Sequence, residues 1–179
     1  MKNSQQQQSS NAPLLVVENL SIGFPAMEGG KLVVENLDLT IGSGEVVALV
    51  GESGSGKTMT ALSLVRLLPK VFDINGGSIR FDGKEIRNML APQLNESRGG
   101  QIGMIFQQFH LVEHLTAQEN IAVPSLIAND PEAFEKAEEA LEKVQLAHRS
   151  SHLPSQLSGG ECQRVAIARA LVRAPKIIL

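Results

Sequence analysis

Eight consecutive residues restrict what this chain can fold into more than any others: Gly51-Glu52-Ser53-Gly54-Ser55-Gly56-Lys57-Thr58. They fit the pattern G-x-x-x-x-G-K-[ST], a loop that cradles phosphate. Gly51, Gly54 and Gly56 let the backbone turn tightly, so that successive N–H groups, those of Ser53 and Ser55 among them, point inward at an anion. The helix that follows adds its positive N-terminal end. Lys57 is placed to neutralise the β- and γ-phosphates and the Thr58 hydroxyl to ligate Mg²⁺. A Gly/Ser-rich turn can match such a pattern by chance, but the flanks argue against chance. "GEVVALV" (44–50) is a continuous apolar run that reads as a strand buried on both faces. "TMTALSLVRLLP" (58–69) carries Met59, Leu62, Val65 and Leu68 at helical spacing and closes at Pro69. Strand, glycine loop, helix is the setting a triphosphate site requires. Which class of phosphate-loop protein this is stays open on that motif alone.

The rest of the pattern predicts an α/β fold with a mainly parallel core sheet, an N-terminal antiparallel β subdomain and a helical insert. "LLVVENLSIGF" (14–24) and "LVVENLDLTI" (32–41) alternate as strands, with "AMEGG" (26–30) as the turn between them. "GGSIRFDG" (76–83) is a short strand closed by a turn, and "QIGMIF" (101–106) another buried strand. Residues 107–156 carry three helical signals and few strand ones. The clearest is "DPEAFEKAEEALEKV" (130–144). Asp130 is a cap, Pro131 suits the first position, and Phe134, Ala137, Leu141 and Val144 line one face. Glu132–Lys136 and Glu139–Lys143 are i,i+4 pairs on the wet face. The opening "MKNSQQQQSSNAP" reads as a disordered low-complexity tail over 1–13 without the apolar centre of a signal peptide, so secretion is not expected.

Composition narrows the partners. At 179 residues one domain with a sizeable core is expected, and a net charge of −3 makes no case for nucleic acid. Cys162 is the one cysteine, which excludes an intramolecular disulfide and suits a reducing compartment. No apolar run reaches the roughly 20 residues of a membrane span. "HLVEH" (110–114) matches the zinc-peptidase pattern H-x-x-E-H, and a helix would put His110 and His114 on one face beside Glu113. No further ligand accompanies it, and His148 and His152 lie in a predicted loop before Pro154, so no zinc is expected.

"LSGGECQRVAIARAL" (157–171) carries a second signal. Ser158 and Glu161 form an S-x-x-E capping box at a helix start. Gly159 and Gly160 leave that end bare for phosphate to approach, and Val165, Ile167, Ala168 and Leu171 supply the buried side. On spacing alone this also fits a well-capped helix and nothing more. The stretch resembles, however, the signature motif of ATP-binding cassette (ABC) ATPases, which is highly specific. Gln107 in "MIFQQ" is similar to that family's Q-loop glutamine, and Phe24 in "LSIGFP" to the aromatic, usually Tyr, that stacks on adenine. The resemblance covers residues 14–179: β subdomain and phosphate-loop core over 14–106, Q-loop and helical subdomain over 107–156, signature helix and the first residues of a strand over 157–179.

That resemblance implies an ATP-binding subunit of an ABC transporter, peripheral on the cytoplasmic face of the inner (plasma) membrane. Its partners would be transmembrane permease subunits and a second ATP-binding subunit, set head to tail, with no nucleic acid and no zinc. It implies that Gly51, Ser53, Gly54, Ser55, Gly56, Lys57 and Thr58 grip ATP from one side. Ser158, Gly159 and Gly160 of the second subunit would cover it from the other. Thr58 and Gln107 would serve Mg²⁺, Phe24 the adenine, and residues 108–125 would dock the membrane subunit. "KIIL" (176–179) is similar to the start of the family's Walker B strand, whose following Asp and Glu, like the later switch histidine, do not occur in this sequence. The chain as given is therefore expected to be a form truncated before those acids and unable to hydrolyse ATP. "ALVGESGSGKTMTALSLVRLLP" is more similar to peptide-importer ATPases, while "FQQFHLVEHLTAQENIAVP" and 157–179 are more similar to lipoprotein-release and macrolide-efflux ATPases. Two other readings are a non-catalytic nucleotide-binding remnant and a soluble ABC ATPase of DNA repair; the compact gap between the two motifs, with no heptads or cysteine cluster, disfavours the latter.

Overall fold

The computed structural model describes residues 12–25 and 31–179. The expected turn at 26–30 and most of the expected tail lie outside the described residues. The chain divides into two compact units between Met89 and Leu90.

In the first unit β1 (Leu15–Gly23), β2 (Leu32–Ile41), β3 (Asp73–Phe81) and the short β4 (Lys84–Glu85) form an antiparallel sheet in the order β2-β1-β3-β4. The inward set on β1 changes parity part-way. Leu15 and Val17 are buried, then Leu20 and Ile22. Asn19 lies between them with φ 50, at a register shift in the ladders to both neighbouring strands. An extra residue in the pleat flips every later side chain to the other face, and Asn tolerates the left-handed conformation this needs. Asp38 Oδ1 accepts from the displaced Asn19 N–H at 2.7 Å. Ile79, Phe81 and Ile86 complete the core with Leu64 and Val65 at the end of α1 (Lys57–Leu64).

Two expectations for this unit are overturned. Residues 45–50 form no strand and lie outside both sheets of the described residues, with Val46 96% and Val50 92% exposed. A strand exists only where neighbours take its N–H and C=O groups, and no ladder reaches this run. Helix α1 stops at Leu64, five residues short of Pro69. Arg66 turns left-handed (φ 51), and Leu67 N and Arg66 N donate back to Leu62 O (2.8 Å) and Ser63 O (3.0 Å). That pairing is a Schellman stop.

The second unit opens with α2 (Ala91–Glu96) and a π-helical turn, Ser97–Gln101. Strand β5 (Ile102–Gly103) pairs in parallel with β6 (Ile177–Ile178), as "QIGMIF" and "KIIL" led one to expect, though far shorter. Leu179 N to Gly103 O and Ile105 N to Leu179 O, both 2.9 Å, continue the ladder. Gly103 is required by packing, since a Cβ there would sit 2.8 Å from Ala170 O. Helices α3 (Ala117–Ile127), α4 (Ala133–Lys143) and α5 (Gly159–Leu171) enclose a core of Ala117, Ile121, Ala137, Leu141, Leu146 and Val165. In α4 the buried set is Ala133, Ala137, Ala140 and Leu141, while Phe134 is 48% exposed. The small alanines let the helices approach closely, and the stripe rotates away from Phe134. Asp130 does not cap α4, whose N-cap is Glu132; its carboxylate accepts from Glu132 N (3.1 Å) and pairs with Lys136 (2.7 Å). The pairs Glu132–Lys136 and Glu139–Lys143 form as expected, at 3.1 and 3.9 Å.

Candidate functional site

Residues 51–58 adopt the geometry of an anion cradle, within the first unit. Gly56, φ 84, is the N-cap of α1 and offers no side-chain cap, so the first N–H groups of the helix stay bare. No other residue fits there: a Cβ on Gly56 would meet Val34 Cγ2 at 2.6 Å and Val33 O at 2.8 Å on β2. The Lys57 ammonium folds back into the loop and donates to Gly51 O (2.7 Å), Glu52 O (2.6 Å) and Ser55 Oγ (3.2 Å). Ser53, Gly54 and Thr58 are exposed, Thr58 on the first turn of α1. The uncapped helix end, the glycine turn and the lysine ammonium fit a polyphosphate, and the Thr58 hydroxyl fits a hard cation such as Mg²⁺. Phe24 follows directly on β1, 43% exposed, with its ring against Phe72 at 5.0 Å between centroids.

The signature stretch lies in the second unit. Ser158 is the N-cap of α5, and its capping box with Glu161 is complete. Glu161 Oε2 accepts from Ser158 N (2.7 Å) and Ser158 Oγ (2.8 Å), while Glu161 N donates to Ser158 Oγ (3.3 Å). Arg149 Nε donates to the other carboxylate oxygen at 3.2 Å. The Ser158 bonds, and then Arg149, pull the Glu161 carboxyl down to about 2 from its usual 4.5. Nothing lies within 4 Å of a Cβ built on Gly159, so the helix end is open to an incoming group. Along α5, Val165 and Ala168 are buried as expected, whereas Ile167 is half-buried and Leu171 43% exposed.

Gln107 begins a turn beyond β5. Residues 107–115 are not helical, so the shared face for His110 and His114 does not form. The His110 ring meets Phe106 edge-on at 4.8 Å. Two residues missed by sequence reasoning organise this loop. Arg169 of α5 donates through its two terminal nitrogens to His110 O and Phe109 O, each at 2.7 Å. Phe109 and His110 both carry positive φ, and the guanidinium, its pKa lowered by burial, holds them there. Asn120, fully buried on α3, takes Val112 N on Oδ1 (2.7 Å) and donates from Nδ2 to Val112 O, Leu115 O and Thr116 O. The only local signal here was T-x-x-E at 116–119, a second capping box, present between Thr116 and Glu119.

Comparison with known proteins finds one family profile, described as ABC transporter, matching residues 34–179. The chain is 42% identical over 168 residues to the lipoprotein-releasing system ATP-binding protein LolD of Geobacter metallireducens, covering 93% of this chain and 73% of that protein. It is 46% identical over 155 residues to the glutamine transport ATP-binding protein GlnQ of Escherichia coli, covering 84% and 62%. It is 40% identical over 169 residues to the macrolide export ATP-binding/permease protein MacB of Burkholderia pseudomallei, covering 93% of this chain but 25% of that protein. The chain thus spans a quarter of the length of the export permease relatives and about three quarters of LolD. Among solved structures, a dimeric ATP-binding cassette bound to ADP and Pi superposes with a TM-score of 0.80 at 33% identity, covering 92% of this chain and 72% of that one.

Proposed function

The chain belongs to the ABC transporter family, and from that premise we propose that residues 14–179 are the ATP-binding part of a transport ATPase. The observation that carries the reading is the loop ahead of α1: a helix N-terminus left uncapped behind Gly56, with the Lys57 ammonium held within the loop by three of its oxygens. Phosphate oxygens are better partners for an ammonium than neutral carbonyls, because they add the attraction of an opposite charge to the hydrogen bond. Lys57 therefore exchanges loop carbonyls for the β- and γ-phosphates. The bare N–H groups of α1 take the same anion, and Phe24 offers a ring face to the base. Mg²⁺ would supply neutralising charge to the phosphates, and in the first unit the Thr58 hydroxyl is the group that would hold it.

Ser158, Gly159 and Gly160 serve the nucleotide of a second ATP-binding subunit, as the open end of α5 allows. Residues 108–125, fastened by Arg169 and Asn120, form the surface that meets a transmembrane permease subunit on the cytoplasmic side of the membrane. No helix among the described residues is long and apolar enough to cross a membrane. Relatives that release lipoproteins, export macrolides and transport glutamine match at 40–46% identity, so the proposal stops at transport and names no cargo.

Equilibrium titration of the full chain with a fluorescent ATP analogue tests this. Lys57→Ala is expected to abolish binding while the thermal melt stays within a few degrees. Unchanged affinity would remove the assignment of the phosphate loop.

A further inference from the structure

The antiparallel ladder between β1 and β3 ends with Ile22 opposite Ile74 and Gly23 opposite Asp73. One step further out the same register sets Phe24 against Phe72. Their rings lie 5.0 Å apart between centroids and are tilted by 40°, inside the range where aromatic pairs attract beyond their buried area. The same strand end is fastened twice more. Asn75 Nδ2 donates to Phe24 O at 3.3 Å, and Phe72 N closes a turn onto Pro69 O at 2.9 Å. Phe24 still keeps 43% of its surface exposed. The arrangement is a ring braced by its cross-strand neighbour, with surface left over for a ligand.

We infer that Phe72 is a positioning residue for the nucleotide base, acting through Phe24; this rests on the reading of Phe24 as the base platform. A ring at the end of a strand loses rotamer freedom when a ligand stacks on it, and that loss subtracts from affinity. Phe72 removes the freedom beforehand. The chain has no Trp or Tyr, so the platform is built from two phenylalanines joined by sheet register instead of one larger ring. Phe72 is also not among the buried residues of the first unit. It is half-buried and lines an open cleft with Leu68, Lys70, Asp73, Ile74 and Arg87.

The full chain is titrated with ATP and with inorganic tripolyphosphate, which has the phosphates but no base. Phe72→Ala is expected to weaken ATP about two- to tenfold, the range an aromatic pair supports, with tripolyphosphate unchanged. Phe72→Leu, which keeps apolar bulk without a ring, should behave as Phe72→Ala does, and Phe72→Tyr should recover wild-type affinity. In a Phe24→Ala background the Phe72→Ala loss should vanish, because the two act as one unit. Unchanged or tighter ATP binding by Phe72→Ala overturns the inference, as does an equal loss for both ligands. If Phe24→Ala weakens ATP while Phe72→Ala does not, the inference alone fails. If Phe24→Ala has no effect, or the wild type binds no ATP, the reading beneath it fails too.

Discussion

At the scale of single residues, the side chains that matter most to the second unit are polar and stitch backbone. Asn120 is fully buried and makes four bonds to residues 112–116. Truncating it strands a buried N–H and several carbonyls at once, each a cost of about 1–3 kcal/mol less what water recovers. Asn120→Ala is therefore expected to lower unfolding free energy by about 2–4 kcal/mol in urea titration; a loss under half a kcal/mol would mean the loop holds itself. Glu161 gives a pH signature. Its folded value of about 2 lies below the ordinary 4.5, so its contribution is fully present above pH 4.5 and is lost as pH falls through about 2. Urea midpoints of wild type and Glu161→Gln should differ at pH 6, and the gap should shrink steadily between pH 4.5 and 2. A gap that stays constant over that window would show that the carboxylate charge is not what closes the cap.

At the scale of elements, three helices stop in the same way without a glycine. Arg66 after α1, Asn129 after α3 and Gln145 after α4 all take positive φ, and in each case the next residue's N–H reaches back five residues. After α4 the bonds are Gln145 N to Glu142 O (2.9 Å) and Leu146 N to Leu141 O (2.8 Å), and Leu146 is buried in the helical core. The left-handed conformation costs a residue with a Cβ about 1–2 kcal/mol, partly offset because glycine loses more entropy on folding. Gln145 is exposed, so Gln145→Gly should stabilise the chain by about 0.5–1 kcal/mol, read as a raised melting temperature. A lowered one would show that the turn is set by something other than backbone conformation. These stops carry no glycine for a reader to find, which is why α1 runs on to Pro69 in the sequence reading and ends at Leu64 in the fold. The capping box that starts α5 was legible, because S-x-x-E is complete within four residues.

At the scale of the whole molecule, the phosphate loop belongs to the first compact unit and the signature helix to the second. The proposed function needs each of them from a different chain, and that separates their mutants. ATP with Mg²⁺ should drive self-association measured by size-exclusion chromatography. Ser158→Arg, placed at the open end of α5, should block association and leave the monomer's ATP affinity unchanged; loss of monomer binding would show that the signature serves its own chain. What the sequence determined by itself was built from near neighbours: the glycine-lysine loop, the capping box at Ser158, the charge pairs along α4 and the apolar ends of β5 and β6. Each depends on residues within a few positions of one another, so spacing carries the physics. Tertiary structure alone decided the rest. The parity switch at Asn19, the exposure of Val46 and Val50, the turning of Phe134 to solvent and the grip of Arg169 on Phe109 and His110 all depend on which distant segment lies alongside. So does the meeting of Phe24 with Phe72. Burial and register are set by partners far away in the chain, and an apolar run without a partner strand is only an apolar run.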